Sequence, residues 1–261
     1  MNENLEKLFR RIKYPKQTVQ FSDLPLLMKQ FAYHLPFENV DIMINRTTSL
    51  EYDALCNKMI HNKRGGLCYE LNPLFFNTLQ ELGFDVQMIH ATIMVAHNPL
   101  EHTHISTILK HEDQHYLVEV GFGANQPLQP VPFTGEFVSA PSGSYRVIQD
   151  TDTDYFLFEK HTAGELAISY KFSLAETDNS TLYRAKELTE THEASKFNKG
   201  LLLTLTTPEG HLTATDTTFT QVVNEEKEKE SIDKHQLFSI SRTFFDINLV
   251  ELGYSENENK K

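Results

Sequence analysis

The sequence has few of the features that mark secreted, disulfide-bonded or membrane proteins. Only two of its 261 residues are cysteines, Cys56 and Cys68, which is too few for a disulfide framework. No apolar run reaches the length that crosses a bilayer, and the polar, acidic residues 1–6 are unlike a signal peptide. We therefore expect free thiols, no membrane partner and a cytoplasmic location.

Positive charge is also scarce, with 24 basic residues against 36 acidic ones and a formal net charge of −12. This balance argues against nucleic acid or an anionic membrane as the main partner. With 261 residues, 39% of them hydrophobic, the chain can bury a substantial core in one large domain or two to three small ones.

The spacing of apolar residues changes along the chain from helical to strand-like and then to a mixture of both. A Pro- and Gly-rich connection through residue 143 divides the strands into two groups. The charged run 225–230 is predicted to be a solvated loop or helix face. Helices are predicted over 5–13, 22–34, 50–61, 181–197 and 231–245, and strands over 86–95, 104–110, 115–120, 144–149, 154–160, 166–172, 201–207 and 210–215.

These segments predict an α+β fold in three parts. Residues 1–84 are mostly helical, and residues 85–180 form antiparallel strands of a small barrel or sandwich. Residues 181–261 mix helices with a hairpin. We find no internal repeat.

The segment 62–72, NKRGGLCYELN, places two glycines and Cys68 directly before a helical pattern. Pro73 is tolerated only near a helix start, so the helix should begin a few residues earlier, with Cys68 at its N-terminus. Free N–H groups and the helix dipole stabilise a thiolate there. Gly65 and Gly66 permit close approach to the sulfur or a positive φ. The alternative is that Cys68 is a small buried hydrophobe.

A nucleophilic cysteine needs a base, and the base needs an orienting partner. His104 opens a predicted strand, which would hold it rigidly, and Glu119 is the one charged residue in the next apolar strand. A buried carboxylate there requires a partner, and the His104 imidazole can provide it. The alternatives are a solvent-facing Glu119 and an ordinary structural His104. Six histidines lie in this region: His90, His97, His102, His104, His111 and His115.

No metal site is expected, although His102 and His104 can lie on one face of a strand. The sequence has no Cys-x-x-Cys or His-Glu-x-x-His motif, and no further ligand at a typical zinc spacing. It also has no nucleotide-binding glycine loop. The Gly121-Phe122-Gly123 turn is too short for one, but it can present N–H groups to a ligand.

Several segments resemble motifs of the arylamine N-acetyltransferase family. Residues 64–72, RGGLCYELN, resemble its Arg-Gly-Gly-x-Cys nucleophile motif, and 35–40, LPFENV, its Pro-Phe-Glu-Asn segment. Residues 116–123, YLVEVGFG, resemble its Asp-x-Gly-Phe-Gly motif, and 195–197, SKF, weakly resemble a Ser-x-Phe element. His104 precedes Glu119 by fifteen positions, as the family's catalytic His precedes its acid.

The resemblance implies a helical bundle, a central β-barrel and a C-terminal α/β lid, with a triad arranged as in cysteine proteases. It implies acetyl-CoA as acyl donor and small amines as acceptors: arylamines, hydrazines or N-hydroxyarylamines. It assigns Cys68 as nucleophile and His104 as base. Phe37 and Phe122 would line the acceptor pocket, and Gly121 and Gly123 would lie by the CoA path. Arg64 and Glu38 would be a buried, supporting charge pair.

The sequence departs from the family at the third triad position, where Glu119 replaces the usual Asp. The extra methylene requires either a bent side chain or a shifted strand if the carboxylate is to orient His104. Two rival functions use the same residues: a thiol amidohydrolase or transglutaminase-like enzyme, and an inactive homologue that binds CoA or another ligand. Neither the residues nor the resemblance fixes the oligomeric state or the physiological role.

Overall fold

The computed structural model of this chain describes residues 3–94 and 99–254. Its first part is helical, as predicted, and one short strand interrupts the helices. A 3₁₀ turn, Phe21–Asp23, precedes α2, and a π turn, Asn57–His61, follows α4. The elements are α1 (Glu3–Arg11), α2 (Leu24–His34), β1 (Phe37–Glu38), α3 (Val40–Met43), α4 (Tyr52–Cys56) and α5 (Cys68–Glu81).

Helix α5 is the central element of this bundle. It begins at Cys68, so Pro73 lies in its second turn, and the predicted early start is confirmed. Its apolar residues point into one core, where Phe75 meets Phe31 of α2 edge-on with ring centroids 4.9 Å apart. Leu71 is fully buried in the same core. This packing fixes the N-terminus of α5 relative to the rest of the bundle.

The second part is an antiparallel sheet that curls into a nearly closed barrel. Its strands pair in the order β5-β4-β3-β2-β9-β8-β7-β6, and residues of β5 also meet those of β7. Glu112 and Asp113 turn the chain between β3 and β4 with positive φ, as two-residue hairpins require. The strands are β2 (Asp85–Met94), β3 (His104–His111), β4 (Gln114–Val118), β5 (Val131–Pro132), β6 (Val138–Ala140), β7 (Gly143–Gln149), β8 (Phe156–Thr162) and β9 (Glu165–Phe172).

The third part contains two helices and a sheet that reaches back to the first part of the chain. Strand β1 pairs with β10, with Phe37 opposite Thr204, and the sheet continues as β1-β10-β11-β12-β13. The elements are α6 (Asn179–Thr191), β10 (Leu202–Thr207), β11 (Gly210–Thr215), β12 (Thr218–Val223), β13 (Glu226–Ser231) and α7 (Lys234–Phe245).

This architecture confirms the predicted α+β class. We propose that the chain divides into residues 1–84, 85–180 and 181–261. The parts are not separate in space, because Leu182 and Ala185 of α6 lie in the core of the first bundle. Together with the β1–β10 pairing, this contact holds the last part against the first.

Several local predictions need correction. The charged run 225–230 mostly forms the exposed edge strand β13, which pairs with the unpredicted β12. Alternating Glu and Lys suits an edge strand with both faces in water. The helix predicted over 181–197 ends at Thr191, and α7 begins only after its cap, Asp233. His97 lies outside the described residues. Within residues 3–94 and 99–254, no helix combines the length and apolarity needed to span a membrane.

Candidate active site

Cys68 is the first residue of α5 and is 6% exposed. Its Sγ lies 3.6 Å from the carbonyl oxygen of Thr103, directly before β3. One carboxylate oxygen of Glu70 accepts a hydrogen bond from the Leu67 N–H at 3.0 Å, which closes the first turn of the helix. A thiol at this position faces the positive end of the helix dipole.

The two glycines before Cys68 are required by close packing. A Cβ on Gly65 would lie 1.7 Å from the carbonyl oxygen of Pro36. The Gly66 N–H donates to that oxygen at 3.2 Å, and the Glu38 N–H donates to the Gly66 carbonyl at 3.0 Å. Neither glycine has a positive φ. Of the two predicted reasons for these glycines, the structure therefore supports the close approach.

A buried group of charges lies beneath the cysteine loop. Arg64 contacts Glu38 through Nε at 2.9 Å and Nη2 at 2.7 Å, and its Nη1 lies 3.1 Å from Asp41. Lys58 continues the group, with Nζ 2.9 Å from Asp41 and 2.6 Å from Glu70. Sequence reasoning proposed only the Arg64–Glu38 pair. A lysine beside the apolar Met59 and Ile60 was the signal it missed.

The pKa values within this group reflect competition between burial and pairing. Burial alone would lower the pKa of Lys58, but Glu70 and the neighbouring carboxylates outweigh burial and raise it. Burial would likewise raise the pKa of Asp41, but Lys58 and Arg64 lower it to about 2. Lys58 and Asp41 are therefore held in their charged forms at neutral pH, whereas burial raises the pKa of Glu70 despite its contact with Lys58.

His104 and Glu119 form a fully buried pair. His104 opens β3, and Glu119 follows β4 by one residue, since β4 ends at Val118 instead of Val120. The His104 Nε2 lies 2.7 Å from Glu119 Oε2. Glu119 is 0% exposed, so the alternative of a solvent-facing strand residue is wrong.

Both oxygens of Glu119 are bound. Oε2 also accepts a hydrogen bond from the Tyr170 hydroxyl at 2.9 Å. Oε1 accepts from Asn72 Nδ2 at 2.9 Å and from the Gly121 N–H at 2.8 Å. The longer side chain of Glu119 therefore reaches the His104 imidazole, and each of its two oxygens has hydrogen-bond partners.

Electrostatics favour the charged forms of this pair. Burial would lower the pKa of His104, but the Glu119 carboxylate and a hydrogen bond with Cys68 raise it to about 10. Burial would raise the pKa of Glu119, but His104, Asn72 and the Gly121 N–H lower it. The Cys68 Sγ lies against the carbonyl oxygen of Thr103, the residue directly before His104, so Cys68, His104 and Glu119 converge as nucleophilic catalysis requires.

Sequence reasoning missed two residues that hold this arrangement. Asn72, one turn after Cys68, donates to the Ile105 carbonyl at 2.6 Å and accepts from the Val120 N–H at 3.1 Å. A buried Asn in an apolar helix face was an available signal. Tyr170 lies 51 positions from Glu119, and nothing in its own segment marks it.

Aromatic side chains surround the pair and the loop that follows it. The Phe122 ring lies 5.0 Å from His104, and Phe37 meets Phe197 edge-on at 5.6 Å between centroids. A Cβ on Gly123 would lie 3.6 Å from Phe37. A Cβ on Gly121 would lie 3.0 Å from the Cys68 Cα and 2.5 Å from the Asn72 amide nitrogen, so this glycine is needed where the loop passes the nucleophile.

The histidine cluster separates in the structure. His102 precedes β3 with φ +59° and packs against His90 with ring centroids 4.4 Å apart, whereas His104 pairs with Glu119. The two imidazoles therefore do not share one strand face. Among the described residues, no group of three or more His, Cys, Asp or Glu side chains is placed to hold a metal ion.

Comparisons with known proteins match the part of the chain that carries Cys68, His104 and Glu119. The sequence profile of the N-acetyltransferase family matches residues 21–252. An uncharacterized acetyltransferase of Bacillus subtilis (strain 168) is 35% identical over 224 residues, 84% of this chain and 88% of that protein.

Two crystal structures share the whole fold. An arylamine N-acetyltransferase of Bacillus cereus, reported to have a unique Cys-His-Glu catalytic triad, is 34% identical. Its TM-score is 0.89, and the match covers 95% of this chain and 100% of that one. Arylamine N-acetyltransferase C of Bacillus anthracis is 31% identical, with a TM-score of 0.90 and coverage of 95% and 99%.

Removing Lys58 should strongly destabilise the fold. Lys58→Met leaves Glu70 and Asp41 buried beside one cation fewer, which should lower the free energy of unfolding by about 3–5 kcal/mol. Urea unfolding at pH 7 measures this. The control is Lys7→Met, which removes an exposed ion pair with Glu3 and should cost far less, because water screens the two charges. Equal losses in the two variants would contradict a stabilising role of the buried group.

His104 should titrate near pH 10, as followed by the NMR shifts of its ring nitrogens. Because its pKa in the folded state is raised from 6.5, its stabilising contribution is complete below about pH 6.5 and is lost as pH rises through about 10. Glu119→Gln removes the largest cause of the rise, so it should lower the midpoint more than Cys68→Ala does. An unchanged midpoint in Glu119→Gln would refute this account.

Proposed function

This chain belongs to the arylamine N-acetyltransferase family of acetyl-transferring enzymes, and from that premise we propose a ping-pong transfer from acetyl-CoA to a small amine through Cys68. The observation that carries the proposal is the convergence of Cys68, at the start of α5, with the buried pair of His104 and Glu119. We propose these three residues as nucleophile, base and orienting acid.

In the first half-reaction, the Cys68 thiolate attacks the thioester carbonyl of acetyl-CoA while His104 is an imidazolium. The new bond joins the Cys68 sulfur to the acetyl carbon, and the bond to the CoA sulfur breaks. CoA leaves with the proton that His104 carried. N–H groups at the start of α5 stabilise the oxyanion.

In the second half-reaction, the amine attacks the acetyl carbon of the Cys68 thioester. The carbon–sulfur bond breaks, the amide forms, and His104 takes the proton that the amine loses. Glu119 holds His104 in the required tautomer, because its Oε2 is bound to Nε2 and the other ring nitrogen is left for the sulfur. The raised pKa of His104 supports the imidazolium that accompanies the Cys68 thiolate before the first half-reaction and that forms again after the second.

We propose that Phe37 and Phe122 line the acceptor pocket, with Phe197 beside Phe37. Flat aromatic amines, hydrazines and N-hydroxyarylamines suit such walls. Gly121 and Gly123 lie by the path of CoA. Arg64 and Glu38 support the cysteine loop from below. A cytoplasmic location and a role in xenobiotic metabolism stay predictions.

The acetyl-enzyme is the direct test of this scheme. After mixing with acetyl-CoA and no amine, intact-protein mass spectrometry should show one acetyl group, and peptide mapping should place it on Cys68. The control is Cys56→Ala, which removes the other, fully buried cysteine and should acetylate like the wild type. An unmodified Cys68 would refute the thioester route.

The rival functions give different results in the same assay. An amidohydrolase or transglutaminase-like enzyme would cleave peptide or glutamine amides without CoA. An inactive homologue would bind CoA stoichiometrically without turnover. The proposed enzyme should release CoA continuously only when p-aminobenzoate or a hydrazine is present, with parallel double-reciprocal plots.

The length of the acid side chain should matter as well as its charge. Glu119→Gln keeps the length but removes the charge that stabilises the imidazolium, so kcat/KM should fall by about 10³–10⁴-fold. Glu119→Asp keeps the charge but shortens the reach to His104 and Tyr170, so a smaller loss is expected. Acetyl transfer to an acceptor panel measures both, with thermal unfolding as the folding control. Wild-type rates in Glu119→Gln would exclude the assigned role.

A further inference from the structure

A cavity lies where the barrel meets the last sheet. It has a volume of about 670 Å³. One wall comes from the β6–β7 hairpin and from the end of β8, including Ser142, Ser144 and Lys160. The opposite wall comes from β11 and β12 through His211 and Val222. None of the residues proposed above as nucleophile, base or acid lines it.

Lys160 is the unusual residue of this cavity. It is only 9% exposed, and its Nζ donates to the side-chain carbonyl oxygen of Asn125 at 2.8 Å. Within residues 3–94 and 99–254, no carboxylate lies at ion-pair distance from it. Lys58, the comparably buried lysine beneath the cysteine loop, touches two carboxylates. A buried ammonium without a counter-charge is costly, and an anion in the cavity would supply that charge.

A second basic group faces the same space from the other wall. The His211 Nδ1 is buried and has no hydrogen-bond partner among the described residues. Burial, Lys160 and Lys227 all lower the pKa of His211, which favours the neutral imidazole over the imidazolium. Glu225, the acidic residue of the lining, is exposed and carries no ion pair with Lys160.

We propose that this cavity binds a phosphate group, with the Lys160 ammonium and the His211 Nδ1–H donating to its oxygens. A phosphate has enough oxygens to accept from both the Lys160 ammonium and the His211 N–H, and its charge offsets that of the ammonium. The phosphate has two possible sources: the phosphates of the acyl donor, in which case the inference rests on the proposed function, or a separate phosphorylated small molecule.

The position of Asn125 links the cavity to the catalytic loop. The residue that holds Lys160 also donates its backbone N–H to the Phe122 carbonyl at 3.0 Å. Phe122 in turn packs against His104. Two residues, Asn125 and Phe122, therefore connect Lys160 to the proposed base, so phosphate binding at Lys160 can be sensed by the loop that carries Gly121 and Gly123.

The test compares binding by the wild type, Lys160→Met and Lys110→Met in isothermal titration calorimetry. Lys110 is an exposed lysine of the same barrel and serves as the control. The probes are CoA, inorganic pyrophosphate, pantetheine (which has no phosphate) and succinate (a dicarboxylate). We expect Lys160→Met to weaken binding of a phosphate probe at least tenfold, as the loss of a charge-assisted hydrogen bond predicts. Lys110→Met should bind like the wild type.

The probes separate the two sources. A Lys160-dependent loss for CoA, with no pyrophosphate binding, assigns the cavity to the acyl donor. Lys160-dependent binding of pyrophosphate that does not compete with CoA assigns it to a separate phosphorylated ligand. Equal affinities of the wild type and Lys160→Met for every phosphate probe overturn the proposal, as does succinate binding with the same Lys160 dependence.

Thermal unfolding separates a loss of binding from a loss of folding, and the acetylation assay separates this inference from the proposed function. Because Lys160 has no carboxylate partner, Lys160→Met should not lower the Tm of the unliganded protein, and His211→Gln should reproduce the binding loss. If Cys68 takes no acetyl group while Lys160 still governs phosphate binding, the proposed function fails and this inference stands. If Cys68 is acetylated but Lys160→Met binds normally, only this inference fails.

Discussion

The carboxylate of Glu119 is the point at which the separate parts of this fold are joined. It binds His104 from β3, Tyr170 from β9, Asn72 from α5 and the backbone of Gly121. The barrel has one core of its own and shares another with the helical bundle, and the proposed nucleophile comes from the bundle whereas its proposed base comes from the barrel. Because a buried carboxylate must satisfy both oxygens, its hydrogen bonds fix the distance between helix and barrel.

The two buried lysines show how differently charge is used in one molecule. Lys58 lies between Asp41 and Glu70 and holds the loop that leads into α5. Lys160 is nearly as buried but has only a neutral amide oxygen as its partner. The charge of Lys58 is balanced by carboxylates of the protein itself, and this pairing stabilises the fold. The charge of Lys160 is balanced only when an anion binds in the cavity. The degree of burial therefore does not distinguish a lysine that stabilises the fold from one that binds a ligand.

Local patterns in the sequence predicted most of the elements, the position of Cys68 and the pairing of His104 with Glu119, but not the contacts that hold them together. The glycines and Pro73 placed Cys68 at a helix start, and the odd Glu119 in an apolar strand indicated a buried partner. Tyr170 and Lys160 gave no local signal, because their importance comes from contacts made across the barrel. Strand β13 was missed because its stability comes from pairing with β12, which overrides the weak strand propensity of Glu and Lys.

A longer acid at the proposed third triad position is compatible with this site, because each neighbour of the Glu119 carboxylate forms a hydrogen bond with it. Strand β4 ends at Val118, so Glu119 is free of the sheet ladder, and the Gly121 N–H reaches back to its Oε1. Shortening the side chain by one methylene would move both oxygens away from partners that are themselves fixed: Asn72 by the Ile105 carbonyl and Tyr170 by the barrel core. An exchange between Asp and Glu at position 119 therefore requires the positions of His104, Tyr170, Asn72 and the Gly121 backbone to change as well.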